Sequence, residues 1–145
     1  MRKIVFVLML MLSYGFMSNE CMAVTASADK NVDIQQIKAE FDYSELIEAI
    51  IAVESEGNVK AVSANGQCCG VLQITPILVK EVNNIVGHEK YSLQDRFDKE
   101  KSIEMFYIMQ HAHNPSHDMR KAVGLWNRSQ WYYKKVMSYY NKAKA

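Results

Sequence analysis

Glu54 interrupts a run of apolar residues. Leu46, Ile47, Ile50 and Ile51 recur at helical spacing, and the next position on that stripe is Glu54, three residues after Ile51 and seven after Ile47. A carboxylate moved into an apolar, partly dried site resists ionisation, so its pKa rises. An acid that keeps its proton near neutral pH can protonate a leaving oxygen, which is the first requirement of glycosidic bond cleavage. The same spacing also fits a charged residue at a helix C-terminus that curls out to solvent, and periodicity does not separate the two readings.

The residues that follow bear on the choice. Ser55 and then Gly57-Asn58 end the helix just beyond the acid and leave it at the rim of a loop. That loop runs to Gly70-Val71-Leu72-Gln73-Ile74-Thr75-Pro76, where the amide of Gln73 stands among apolar neighbours. Gln73 is placed either to hydrogen-bond a sugar from a cleft wall or to satisfy backbone groups in the core. Trp126-Asn127 closes a later helix with a flat apolar face beside an amide, a combination suited to carbohydrate, whose C–H faces are apolar and whose edges hydrogen-bond. If the helix continues that far, Glu56 lies about 200° round it from Glu54 and is expected to face away from it.

Other reactive side chains suggest less. His111, His113 and His117 gather around the Asn114-Pro115 break, but their spacing does not put a ligand pair on one helical turn, so no metal is expected. Cys68 and Cys69 are adjacent, and neighbours in sequence rarely form a disulfide because the small ring strains both torsions. Cys68 reads as buried and Cys69 as buried or idle.

Helices must position these groups. Asp33 can cap a short segment with Ile34, Ile37 and Phe41 on one side, and Ser44 or Asp42 can cap the helix that carries the stripe to about Ser55. Residues 56–70 form a long polar loop with three glycines. Thr75-Pro76 is a strong helix start, and Gly87 is the matching stop, with Leu78, Val82, Ile85 and Val86 as the buried face. Further helices are expected from Asp95 or Asp98 to His111 (burying Ile103, Phe106, Tyr107 and Gln110), through Met119, Ala122, Val123 and Trp126, and from Gln130 to Lys142. No stretch alternates long enough for a sheet of any size. The expectation is a single all-α domain of five to seven helices.

The first 28 residues read as a secretory leader. Arg2 and Lys3 precede an uncharged, mostly apolar run from Ile4 to Met17, and small residues before Ala23 and Ala28 offer cleavage sites. The run is too short for a comfortable membrane span, so no stable insertion is expected once the leader is removed. The remaining domain, 29–145, carries 15 basic and 15 acidic side chains. That balance argues against bulk attraction to nucleic acid or to an anionic membrane.

Glu54-Ser55 with Gly57-Asn58, then Ala61-Val62-Ser63, then Gly70 to Pro76 resembles the signature of the soluble (SLT-type) lytic transglycosylases: E-S-x-x-N, A-x-S and G-L-M-Q-I-x-P. The resemblance spans about residues 44–140, and Ala122 to Asn127 falls where the family has an alanine-rich helix ending in Tyr-Asn-Ala-Gly. It implies a lysozyme-like α fold, a peptidoglycan glycan strand as substrate, no cofactor, and Glu54 as the single catalytic acid. On this resemblance Ser55, Ser63, Gln73, Tyr107, Trp126 and Asn127 are candidate substrate-binding residues, with Trp126 in the place of the family's tyrosine near the acid. Trp131 or Tyr132 would then wall the cleft. Three features depart from the pattern: the Gln67-Cys68-Cys69 spacer is one residue longer, Trp126 replaces tyrosine, and Arg128-Ser129 replaces Ala-Gly. The implied protein is a monomeric enzyme of the periplasm or cell wall. Its small size and lack of wall-anchoring repeats favour recruitment to a secretion or conjugation apparatus, by analogy. A lysozyme-type hydrolase and an inactive glycan-binding protein on the same fold are the alternatives.

Overall fold

The computed structural model describes residues 33–144, and the expected leader, residues 1–28, lies outside them. Six α-helices follow in order: α1 (Ile34–Glu40), α2 (Ser44–Glu54), α3 (Pro76–Val86), α4 (Lys99–His113), α5 (Met119–Gly124) and α6 (Gln130–Ala143). A 3-10 helix, Leu93–Phe97, precedes α4. Among the described residues there is no strand, only two isolated bridges, Val62 to Cys69 and Cys69 to Ile74. The fold is all-α, as the sequence pattern requires.

The helix ends follow local chemistry. Asp33 caps α1 by accepting from the N–H groups of Gln35 and Gln36, Thr75 accepts from Leu78, and Asp98 accepts from Lys101 at the start of α4. Pro76 opens α3 and Gly87, at φ 85°, closes it. At the start of α2 the N-cap is Tyr43, with no side-chain cap, in place of the expected Ser44 or Asp42; Asp42, one residue earlier, accepts from the Ser44 N–H at 2.8 Å. Asp95 forms a capping box with Ser92.

The apolar stripe of α2 is the centre of the core. Leu46, Ile47, Ala49, Ile50 and Ile51 are buried, packed with Phe106 and Ile108 of α4, Val82 of α3 and Val136 of α6 in one cluster. Full burial of each large aliphatic side chain contributes roughly 1.5–3 kcal/mol. On α3 the buried set is Val79, Val82 and Val86, with Leu78 and Ile85 only partly covered, so the helix is rotated slightly from the expected phase. Ile103 likewise sits at the core's edge, while Met105 and Ile108 lie inside it.

Residues 55–75 have no helix, yet the segment is tightly tied. Gly70 N–H donates to Ala61 O, and Cys69 and Ile74 exchange both backbone hydrogen bonds. Arg96, 8% exposed, staples this loop to the 3-10 helix: its guanidinium donates to Leu93 O, Gln67 O and Ile74 O. Cys69 is buried and Cys68 half-buried, both as free thiols, so the expectation of a buried Cys68 is corrected. Cys69 occupies the inside of the loop because its backbone carries both bridges, which turns the preceding residue outward.

Gly70 fixes how close this loop lies to the 3-10 helix. Its φ is +75°, and a Cβ there would meet Arg96 O at 1.7 Å. Gly66 has a similar φ of +72° but open space around it. Gly70→Ala should therefore destabilise by about 3 kcal/mol or more, conformational strain plus overpacking. Gly66→Ala should cost only the conformational part, about 1–2 kcal/mol. Denaturant unfolding of the two variants checks this, and equal losses would show that the close approach is unimportant.

Candidate active site

Glu54 is the last residue of α2, and the chain leaves the helix immediately after it. Glu56 and Gly57 both take left-handed conformations, φ 55° and 84°, which turn the backbone away. Ser55 fastens the exit: its hydroxyl donates to Val71 O at 2.8 Å, tying the helix end to the 70–76 turn. Glu56 is exposed, through the left-handed turn that follows the helix end and not through helical phase, because α2 has already stopped.

The Glu54 carboxylate is half-buried, and Oε1 accepts a hydrogen bond from the hydroxyl of Tyr132 at 2.5 Å. Tyr132 lies in the first turn of α6 and is 4% exposed. Burial pushes the Glu54 carboxyl above its ordinary value, against the Tyr132 hydrogen bond and the charge of Lys135, which both pull it down. Burial and the facing carboxylate raise the Tyr132 phenol far above its usual range, so it stays a donor.

The other candidate residues divide by what holds them. Trp126 does not donate to Glu54. Its indole N–H donates to Leu72 O at 3.0 Å and its ring packs on Phe106, so its assignment as the acid's aromatic partner is corrected in favour of Tyr132. The cause is chain direction: Trp126 lies just past the end of α5, where the 70–76 turn presents a free carbonyl, whereas α6 runs along α2. Tyr107 is also corrected. It is 4% exposed, accepts from the Tyr43 N–H at 3.1 Å, and lies near the start of α2, the opposite end of that helix from Glu54. Ser63 closes its own loop, donating to Asn65 Oδ1 and accepting from the Cys68 N–H.

Gln73 satisfies backbone groups with its amide nitrogen. Its backbone is left-handed, φ 49°, and its Nε2 donates to Gly70 O at 2.9 Å and Ala61 O at 3.4 Å. The side-chain oxygen is the atom left for a ligand. Gln73 and Trp126 line one groove of about 500 Å³, together with Leu78, Met109, Leu125 and Arg128. Asn127 is exposed and lines an adjoining pocket. Glu54 meets the same frame through Ser55, since Val71 and Leu72 are consecutive carbonyl acceptors for Ser55 and Trp126. A separate cavity of about 770 Å³ lies on the other side of α3 and is lined by none of these residues.

The histidines serve structure. His111 and His113 pair with Glu40 and Glu81 at 3.4 and 3.3 Å, and His117 stacks on Phe41 and shares a hydrogen bond with Tyr43. Among the described residues no group of three His, Cys, Asp or Glu side chains could hold a metal ion.

Comparison with known families matches residues 32–142 to the family described as Transglycosylase SLT domain. The chain belongs to that family, which places it in the lysozyme-like superfamily. No curated protein and no solved structure matches the chain.

The raised pKa of Glu54 has a consequence for stability. The folded carboxyl keeps its proton to higher pH than the unfolded one, so its contribution is complete below the ordinary glutamate range and is lost as pH rises through the folded value. Glu54→Gln stays neutral and can still accept from Tyr132. It should melt above the unsubstituted protein at pH 7 and at the same temperature near pH 4. An equal difference at both pH values would sink the burial argument.

Proposed function

We propose that the protein cleaves the β-1,4 bond between N-acetylmuramic acid and N-acetylglucosamine in peptidoglycan, by lytic transglycosylation with Glu54 as its one catalytic residue. The observation that carries this reading is a half-buried carboxyl with a raised pKa at the end of α2, held by Tyr132 and tied through its neighbour Ser55 to the 70–76 turn. Membership of the SLT domain family supports the substrate class.

In this mechanism the Glu54 proton passes to the glycosidic oxygen as the C1–O4 bond breaks. The resulting carboxylate then takes the proton of the muramic C6 hydroxyl while O6 bonds to C1, giving the 1,6-anhydro end. The two steps return Glu54 to its starting state, so neither a second carboxylate nor a cofactor is required. Tyr132 holds the carboxyl in place by donating to Oε1, which leaves Oε2 to face the substrate. Gln73, Trp126 and Asn127 are the proposed substrate walls, while Ser55 and Ser63 hold the frame through their backbone and loop contacts. The leader, residues 1–28, would carry the enzyme out of the cytoplasm to the periplasm or wall. There a monomer could serve a secretion or conjugation apparatus.

Purified peptidoglycan incubated with the protein should release 1,6-anhydromuramic ends; reducing muramic ends would instead indicate a hydrolase. Glu54→Gln should lower the rate at least ~100-fold, the scale of a general acid. Glu56→Gln should stay within about twofold. Equal activity of the Glu54 variant would remove Glu54 from the mechanism, and binding without any cleavage would favour a glycan-binding protein. Tyr132→Phe removes a hydrogen bond that favours the charged carboxylate, so the alkaline limb of its pH–rate profile should move to higher pH. A limb that stays fixed or moves down would exclude that coupling.

A further inference from the structure

Two arginines beside the site have no role in the chemistry above. Arg128 lines the groove that holds Gln73 and Trp126, and it also lines an adjoining pocket of about 220 Å³. Arg120 lies in that second pocket with Asn127, Ser129, Gln130 and Tyr133. Among the described residues neither guanidinium is paired with a carboxylate, and no acidic side chain lines the smaller pocket.

Arg120 is nonetheless held in position. Its Nη1 donates to Gln130 Oε1 at 2.8 Å, and its guanidinium lies over the Tyr133 ring, 4.2 Å from the centroid. Both contacts fix the cation and neither neutralises it. Some other basic side chains differ: Arg96 spends its donors on backbone carbonyls, and Lys99, Lys101 and Lys144 have carboxylate partners. The one acid on the larger groove, Glu81, is already paired with His113. Arg128 immediately precedes Ser129, the cap of α6, so the cationic pocket opens one helical turn before the Tyr132 that holds Glu54.

We propose that this pocket receives a carboxylate of the glycan strand, with Arg120 and Arg128 as its two donors. The inference rests on the murein-cleaving reading for the identity of the ligand. A guanidinium presents paired N–H donors that match the two oxygens of a carboxylate, whereas a plain N-acetylglucosamine chain offers no charge. Muramic acid brings a carboxyl in one of two ways. Its lactyl group is a free carboxylate on a bare strand, and on a substituted strand it is amide-linked to a stem peptide with carboxylates of its own. The pocket thereby selects strands by their acidic substituents.

The test uses three soluble probes: strands with stem peptides, the same strands stripped by an amidase, and chitohexaose. Binding is measured in the Glu54→Gln background and cleavage in the active protein. The double variant Arg120→Ala/Arg128→Ala should bind at least one murein probe about tenfold more weakly, the scale of a charge-assisted hydrogen bond. KM should rise by a similar factor with kcat within about twofold, and chitohexaose binding should not change. Lysine at both positions should recover part of the loss. A loss on peptide-bearing strands assigns the carboxylate to the stem, and a loss on stripped strands assigns it to the lactyl group. Unchanged binding of both murein probes, or an equal loss on chitohexaose, overturns the proposal. Arginine-dependent binding by a protein that cleaves nothing would support the pocket and overturn the enzymatic reading alone.

Discussion

The contact between Tyr132 and Glu54 joins the second helix of the domain to the last, across 78 residues of sequence. It depends on α6 lying along α2, and that packing depends on Val136 and Tyr132 filling the core beside Ile50 and Ile51. A carboxyl is expensive to bury unless something accepts its company. A phenol is well suited to that task, because its ring belongs to the apolar core and its hydroxyl supplies one strong donor. The acid is therefore a product of tertiary structure. On an isolated α2 the same residue would be an ordinary glutamate at a frayed helix end.

The second constraint is the 70–76 turn. Gly70 lets the loop lie against the 3-10 helix, and Arg96 ties three carbonyls from either side of that seam. The turn must then satisfy its own carbonyls at Val71 and Leu72, and it does so with Ser55 and Trp126. Several residues that look like ligand-binding groups are thus committed to backbone acceptors. Their contribution to the site is shape: they hold Glu54 at one edge of the turn and the groove at the other.

Much of this was legible in the sequence. Thr75-Pro76, Asp98 and Asp33 announced their helices because capping is a local interaction, complete within four residues. The apolar stripe into Glu54 was legible for the same reason, since helical phase is local. Tyr132 was harder to single out. Trp131, Tyr132 and Tyr133 are three consecutive aromatic residues, and only the docking of α6 decides which one turns inward, leaving Trp131 67% exposed. Trp126 was drawn toward the acid by position in a motif, although its indole can only donate and a backbone carbonyl lay within reach. Tyr107 shows the opposite difficulty, because an aromatic residue on a helix face has the same pattern whether it lines a cleft or fills a core. Arg96 gave no signal, since its partners are carbonyls brought together by a loop whose path periodicity does not describe.

The forces on Glu54 oppose one another, and the opposition has a chemical use in the proposed reaction. Burial alone would favour an acid that holds its proton firmly, whereas the Tyr132 hydroxyl and Lys135 favour its release. A residue that only donated would be served by burial, and one that only accepted would be served by the hydrogen bond. In a one-carboxyl mechanism the same group must do both in sequence, first yielding a proton to the leaving oxygen and then recovering one from the attacking hydroxyl. Brønsted behaviour favours a pKa near the working pH for each transfer. At the end of α2, burial moves the carboxyl toward that range while a hydrogen bond and a cation from α6 oppose it.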